Sequence, residues 1–469
     1  MVSNEASQAL SYDRKRLLIA SCVAILTTAM TFSIRADTLK AFGLEFSLNH
    51  TQEGYINLLG IWGFPIAILL VGPLCDTIGM GKLLRGAACG HILGTILTIL
   101  SATVQSFPLL LVANLIFGLS NGTVEAVTNP LVATMYRDDK TAKLNLLHAF
   151  WPGGLVTGGL LAFAVSKAMA IAPDPVAGPA TSLSWKIKWA FVIIAAICYL
   201  VLTLKQEFPP TERVESGISN QEMVQASLAP GFLLLMGCMC LTAITELGPD
   251  QWVGSVLTDT VKIQGVLFLV YTSGLMFVLR VSAGKFIHAL SPMGMLLCAA
   301  ALSCAGLVAL SYSFSAGIAF ASATIFAFGK AFFWPTMLGM SNERYPRTGA
   351  LGLAMMGAAG MIAAGIAGPG MGRIYDQGTV AHLSPAAAQV VVVDGKVDAA
   401  KVRELREKAV QGDAEAASLT ANVGEANKQG AALSFRYVAA LPALLVLVFG
   451  AMFITMRRKG GYEAKSIGD

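Results

Sequence analysis

The carboxylate Glu125, embedded in apolar sequence, carries the strongest chemical signal in this chain, and two more acids, Glu246 and Asp250, share a second apolar run. Glu125 lies in "GLSNGTVEAVTNP" (118–130) and Glu246 in "ITELGPDQW" (244–252). A charge near the middle of a bilayer costs about 2.5–3.5 kcal/mol, so an acid kept there is by default functional. A helical repeat puts Asn114, Gly118, Asn121, Glu125 and Asn129 on one face. A carboxyl among amides can take up and release a proton as its access to water changes, and it can accept hydrogen bonds from hydroxyls. Pro130 then removes one backbone hydrogen bond and predicts a kink beside the acid. After Glu246, Gly248-Pro249 predicts a broken helix with exposed carbonyls, followed by Asp250, Gln251 and Trp252. Acids beside an indole suit a sugar: carboxylates accept from hydroxyls while the aromatic face covers the ring's C–H face.

The other ionisable residues in apolar surroundings are Arg35, Asp37, His148, Arg280 and Lys330. Arg35 and Asp37 are expected to pair at the outer end of the first span, with Asp37 a second carboxyl for proton coupling. His148 is read as a substrate contact, beside Trp151. Arg280, placed near the inner end of its span, is read as a gating residue. Lys330 and Trp334 lie in "FGKAFFWP" (328–335), and Lys330 is expected to face Glu125 across a cavity. Trp62 and Phe64 are read as packing residues.

These side chains need a membrane to position them. Of the 469 residues, 55% are hydrophobic and 13% charged, against about 25% charged in soluble domains. Twelve apolar stretches are each long enough to span, at roughly 17–41, 55–75, 84–103, 108–134, 144–168, 187–205, 229–254, 263–284, 293–312, 316–340, 348–370 and 434–456. Runs of this length exclude barrel strands, so the fold class is all-α. Basic residues cluster in alternate loops: Arg14-Lys15-Arg16, Lys82, Arg137, Lys140, Arg344 and Arg347 fall on one side, few on the other. That bias puts both termini in the cytoplasm. The net charge of +5 is therefore a topology signal and not a nucleic-acid signal. The eight cysteines lie in or at the ends of apolar runs, without metal-site or disulfide spacing. No nucleotide-binding loop or paired His/Glu metal motif occurs, so no enzyme activity, metal or cofactor is expected.

Residues 1–205 and 229–469 form two six-span bundles, joined by a polar linker at 206–228. Aligning Pro130 with Pro335 lays residues 118–136 over 323–341 and Glu125 over Lys330, which reads as an internal repeat. A hydrophilic insertion at 371–433 precedes the last span. Its "VVVVDGKV" (390–397) predicts a hairpin at Asp394-Gly395, and residues 398–412 predict an amphipathic helix.

With this layout the chain resembles the major facilitator superfamily over nearly its whole length. "GPLCDTIGMGK" (72–82) is similar to that superfamily's loop signature, with Gly72, Asp76, Gly79 and Lys82 in register. The resemblance implies a gating role for Asp76. Thr77 and Asn114 stand where basic residues are usual. Within the superfamily the chain resembles the fucose:proton symporter family of sugar transporters. The residues that carry this are Gly118, Gly122, Glu125, Asn129 and Pro130, then "LNLLHAF" (144–150). His148 replaces the family's usual Gln, and Trp151 stands where an Asn is common. The resemblance implies that Glu125 serves as proton and sugar site, and that spans 1, 4, 7 and 10 line the cavity.

The expected function is secondary active transport of a hexose-like sugar by alternating access, coupled to protons. Sodium coupling, and transport of organic anions or drugs, stay open as alternatives. The expected substrate residues are Asn121, Glu125, Asn129, His148, Trp151, Glu246, Asp250, Gln251, Trp252, Lys330 and Trp334. The expected partners are a small sugar and the lipid bilayer, with no nucleic acid, in a monomer of the bacterial cytoplasmic membrane.

Overall fold

The apolar runs must satisfy their own backbones, and they do so as helices. The computed structural model describes residues 12–466 other than 49, 172–177, 262–264, 314 and 394. The expectations for Asp394 and for the side chains of Asp250, Gln251 and Trp252 lie outside the described residues. The helices run α1 (Arg14–Glu45), α2 (His50–Val71), α3 (Met80–Thr103), α4 (Phe107–Met135), α5 (Lys140–Ala168), α6 (Pro179–Thr203), α7 (Glu212–Glu215), α8 (Asn220–Ser227), α9 (Pro230–Val261), α10 (Gly265–Val281), α11 (Ala283–Leu310), α12 (Ala316–Lys330), α13 (Phe333–Arg344), α14 (Gly349–His382), α15 (Pro385–Val391), α16 (Ala399–Val410) and α17 (Ala414–Arg458). Among the described residues eleven helical segments are long and apolar enough to cross a membrane, and α10 adds a shorter apolar one.

The fold is two pseudo-symmetric six-helix bundles. The first is α1–α6, where α1 packs on α5 and α6, and α4 on α2 and α3. The second is built from α9 to α14 and α17. The chain's two ends and the linker helices α7 and α8 share one face, here the linker face. The Asp13 backbone N–H donates to Gln206 Oε1 at 3.3 Å, and Arg16 Nε donates to Leu202 O at 2.9 Å. The opposite face carries the insertion and is called the cap face.

Five spans differ from the sequence expectation. Helix α9 continues through Gly248-Pro249 to Val261, so the predicted break does not form. An interior proline forfeits one hydrogen bond, and the surrounding turns hold the helix together. The eighth span does not end near 284. After a change of direction at Ser282 it resumes in α11 and turns only at Ser291 (φ 64°), just before Pro292. The tenth span is split: α12 stops at Lys330 and α13 starts at Phe333, two residues before Pro335. The last two spans run past their apolar stretches, because α14 and α17 continue into the cap. They cross where Gly378 meets Gly430 with no side chain between them. There α15, a short hairpin and α16 fold back, burying Ala387, Val391, Leu405, Ala416 and Val423 together. The hairpin pairs Val392 with Val397 and Val393 with Lys396, turning through Gly395 at φ 74°. The hairpin and the amphipathic helix both form as the sequence predicts.

Candidate functional site

The two bundles meet around a small cavity lined by Phe64, Glu125, His148, Trp151, Glu246, Leu247, Arg280, Trp334 and Met361. Its volume is about 30 Å³, room for a water or two and too little for a hexose. Each half contributes one carboxylate.

Glu125 comes from α4. Its Oε1 accepts from Asn129 Nδ2 at 3.1 Å and, across the interface, from Trp334 Nε1 at 3.1 Å. His148 of α5 sits beside it, with Nε2 2.9 Å from Asn129 Oδ1 and 3.5 Å from Glu125 Oε1. Asn129 thus relays His148 to Glu125. Glu246 comes from α9. The break before Pro335 leaves the first-turn N–H groups of α13 without helical acceptors. One of them, Trp334 N, donates to Glu246 Oε2 at 3.3 Å. The same tryptophan therefore reaches one carboxylate with its ring and the other with its backbone.

Arg280 closes the circuit. Its Nη2 donates to Glu246 Oε1 at 2.6 Å, Nε to Ala331 O at 2.5 Å and Nη1 to His148 O at 3.0 Å. Those two carbonyls have a cause in the sequence. A proline inside a helix cannot donate to the carbonyl four residues before it. Pro335 frees Ala331 O, and Pro152 frees His148 O. Arg280 takes both, one from each half. Another such carbonyl, Ala126 O, freed by Pro130, lies 3.5 Å from the Cys75 thiol. The eighth span extends well beyond Arg280, so this residue lies inside the bundle, only 2% exposed. Its expected place near the inner end is corrected accordingly.

The structure thus brings together Glu125, Asn129, His148, Trp151, Glu246, Arg280 and Trp334. Three other expectations are corrected. Asn121 faces away from the cavity into the first bundle, where Nδ2 donates to Thr31 Oγ1 at 3.0 Å and Oδ1 lies 2.8 Å from His91 Nε2. Residues four apart differ by about 40° around a helix, so Asn121 and Asn129 point to different neighbours although each adjoins Glu125. Lys330 does not face Glu125. It is 1% exposed, with Nζ 5.3 Å from the centroid of the Phe326 ring, and the indole of Trp334 stands opposite the acid instead. Asp37 does not pair with Arg35: its Oδ2 lies 2.5 Å from Lys188 Nζ, toward the cap face. Residues two apart on a helix do not face each other.

Asp76 holds the linker. Its Oδ2 accepts from Arg213 Nε at 2.9 Å and Nη2 at 2.5 Å, and its Oδ1 accepts from Thr211 Oγ1 at 2.5 Å. The base absent at Thr77 and Asn114 is supplied by α7. Arg213 also packs against Gly349 at the start of α14, so the pair bridges the two halves. Nearby, Glu343 Oε1 of α13 accepts from Thr141 N at 3.0 Å and Thr141 Oγ1 at 2.6 Å, both at the start of α5. Asn145 Nδ2 donates to Thr336 Oγ1 at 3.1 Å, and Gly339 and Gly72 allow close approach to Thr141 and Ala354. The halves are closed together at the linker face. Sequence reasoning missed Arg213, Thr141 and Glu343, polar residues near the ends of spans with no distinguishing local pattern. It also assigned Phe64 to packing, whereas that ring is a cavity wall.

The comparisons with known proteins agree with this architecture. An uncharacterised MFS-type transporter of Bacillus subtilis (strain 168), YfiU, is 28% identical over 128 residues, 27% of this chain and 24% of that one. The chain therefore spans about a quarter of the length of that curated relative. Among solved structures, the fucose:proton symporter FucP of E. coli superposes with a TM-score of 0.66 at 14% identity, over 91% of this chain and 98% of that one. The proton:xylose symporter XylE gives 0.64 at 12% identity over 93% and 95%. The human organic anion transporter MFSD10 gives 0.60 at 13% identity over 93% and 99%. At these identities the likeness is one of fold. Residues 17–369 match the family model of the Major Facilitator Superfamily, and with twelve spans in two bundles closed around a shared cavity the chain belongs to that superfamily of membrane transporters.

Proposed function

We propose that this protein is a secondary active transporter of a hydroxyl-rich, sugar-like molecule, working by alternating access and coupled to protons through Glu125. The observation that carries this reading is the cavity in which Glu125 and Glu246, one from each half, converge beside Trp151 and Trp334. The Trp334 indole N–H now occupies the hydrogen-bonding place on Glu125 that a substrate hydroxyl would take. Entry of the substrate displaces the indole, and the freed ring covers the sugar's apolar face. Arg280 is neutralised by Glu246, which leaves Glu125 as the carboxylate free to change protonation. Loading a proton there before the substrate, and releasing both together, gives symport. Closure at the linker face directs this state toward the cap side. The basic loops support a cytoplasmic linker face and a bacterial inner-membrane location for a chain acting as a monomer.

Uptake of labelled sugars into proteoliposomes, under an imposed proton or sodium gradient, tests the reading. Accumulation is expected with the proton gradient. If no sugar binds or moves, the assignment fails; accumulation that follows sodium alone removes the proton. Glu125→Gln is expected to abolish uphill accumulation while exchange across the membrane continues. Undiminished accumulation by that variant takes Glu125 out of the coupling.

A further inference from the structure

Arg35 is a charge that the proposed mechanism does not use. It is 3% exposed. Its guanidinium lies over the Phe32 ring, 4.7 Å from the centroid, and against the bare backbone of Gly60, where a Cβ would overlap it. Nη1 is enclosed with no hydrogen-bond acceptor. The carboxylate nearest in sequence, Asp37, is held by Lys188. Taking an ion out of water costs several kcal/mol unless a partner repays it. A guanidinium kept in this state is set up for a partner that comes and goes.

Its position says what that partner is. Phe32 touches Trp151 at 5.3 Å and Phe64 at 6.3 Å between centroids, and both are walls of the cavity. Arg35 lies one turn beyond Phe32 on α1, and Gly60 one turn beyond Phe64 on α2, both toward the cap face. The guanidinium therefore sits behind the aromatic collar on the cap side of the cavity. The cavity cannot hold a hexose until that collar parts, and parting it uncovers Arg35. Arg280 is neutralised by Glu246, whereas among the described residues no carboxylate pairs with Arg35.

We propose that Arg35 is the anion-recognising part of the transport site, and that the substrate is a sugar acid with one carboxylate. This inference rests on the proposed transport of sugar-like molecules. The planar guanidinium takes the carboxylate through two parallel hydrogen bonds, while the hydroxyls reach Glu125 and Glu246. A single guanidinium behind the collar matches a monoanion; among the described residues the one cation that lines the cavity, Arg280, is already paired with Glu246, which does not suit a dianionic phosphate. With Glu125 protonated, the bound monoanion makes the site neutral. One proton moving with one carboxylate is then electroneutral, so uptake depends on the pH gradient and not on membrane potential.

The test uses the full chain in proteoliposomes with glucuronate and gluconate against glucose and galactose, for wild type, Arg35→Gln and Arg35→Lys. The acids are expected to bind about ten- to hundredfold more tightly than the neutral sugars, the range of one charged hydrogen-bonding partner. Arg35→Gln is expected to erase that preference and Arg35→Lys to restore part of it. Substrate-free Arg35→Gln is expected to melt no lower than wild type, because an unpaired buried charge has been removed. A lower melting temperature with the acid preference intact assigns Arg35 a structural role and overturns the inference. Transport of neutral sugars alone, or acid uptake that follows an imposed potential, overturns it while leaving the sugar reading in place. Transport of neither class removes both.

Discussion

At the scale of the residue, the site depends on backbone acceptors that prolines leave behind. Arg280 joins a carboxylate of one half to freed carbonyls of both. Removing one member of a buried ion pair typically costs about 3–5 kcal/mol, because the other charge stays unpaired. Arg280→Met is therefore expected to lower the melting temperature in detergent sharply. Adding Glu246→Gln is expected to recover a large part of the loss, since no orphan charge remains. A double variant no more stable than Arg280→Met would show that the loss comes from the two carbonyl contacts and not from the ion pair. The same rule shows what sequence reasoning left unused. Pro130, Pro152 and Pro335 each announce a free carbonyl four residues earlier, but which side chain arrives to satisfy it is a tertiary fact.

At the scale of the element, bare helix surfaces set the shape of the cavity. A Cβ on Gly122 of α4 would run into the Phe64 carbonyl oxygen and the Ala67 methyl of α2. Backbone cannot swing aside as a flexible side chain can, so the helices must part. Gly122→Ala is expected to cost about 1–3 kcal/mol and to weaken substrate binding by shifting Phe64. Gly159 of α5 has nothing within 4 Å of its Cβ position. Gly159→Ala is expected to be neutral or to stabilise by up to about 1 kcal/mol through helix propensity. Thermal melts and binding assays on the two variants check this, and similar losses for both would deny the close crossing its role. The apolar periods located these helices well, but not the ends of α14 and α17, whose extensions are held by packing within the cap and not by lipid.

At the scale of the whole molecule, the linker and the carboxyl-terminal tail strap the closed face. Tyr462 Oη donates to Glu343 Oε2 at 2.5 Å, Lys465 N to Glu343 O at 2.8 Å and Arg344 Nη1 to Glu463 O at 2.8 Å. Glu343 also holds Thr141 of the other half, so the tail lies on the inter-half contact. Burial, first, and then the neighbouring Glu343 raise the Tyr462 phenol above its ordinary value of 10.0. A raised value means that the folded tail favours the protonated phenol. Its contribution is complete below about pH 10 and is lost only as the pH climbs further. Limited proteolysis of the tail is thus expected to be the same at about pH 6 and about pH 9, and faster for Tyr462→Phe at both. A marked change between those pH values would place control of the strap with another group.

The sequence by itself determined the membrane class, the twelve spans, the two-bundle layout, the cap hairpin and the placing of Glu125 in an apolar span. These follow from hydropathy, helical period and the cost of a charge in lipid, all of which act along the chain. Only the tertiary structure decided the partners. It put Trp334 in place of Lys330 opposite Glu125, turned Asn121 into the first bundle, gave Asp76 to Arg213 and Asp37 to Lys188, and enclosed Arg35 Nη1 behind the aromatic collar with no acceptor among the described residues. The reason is geometric. A small rotation about a helix axis changes which neighbouring helix a side chain meets, and the position of that neighbour is set by residues hundreds of places away.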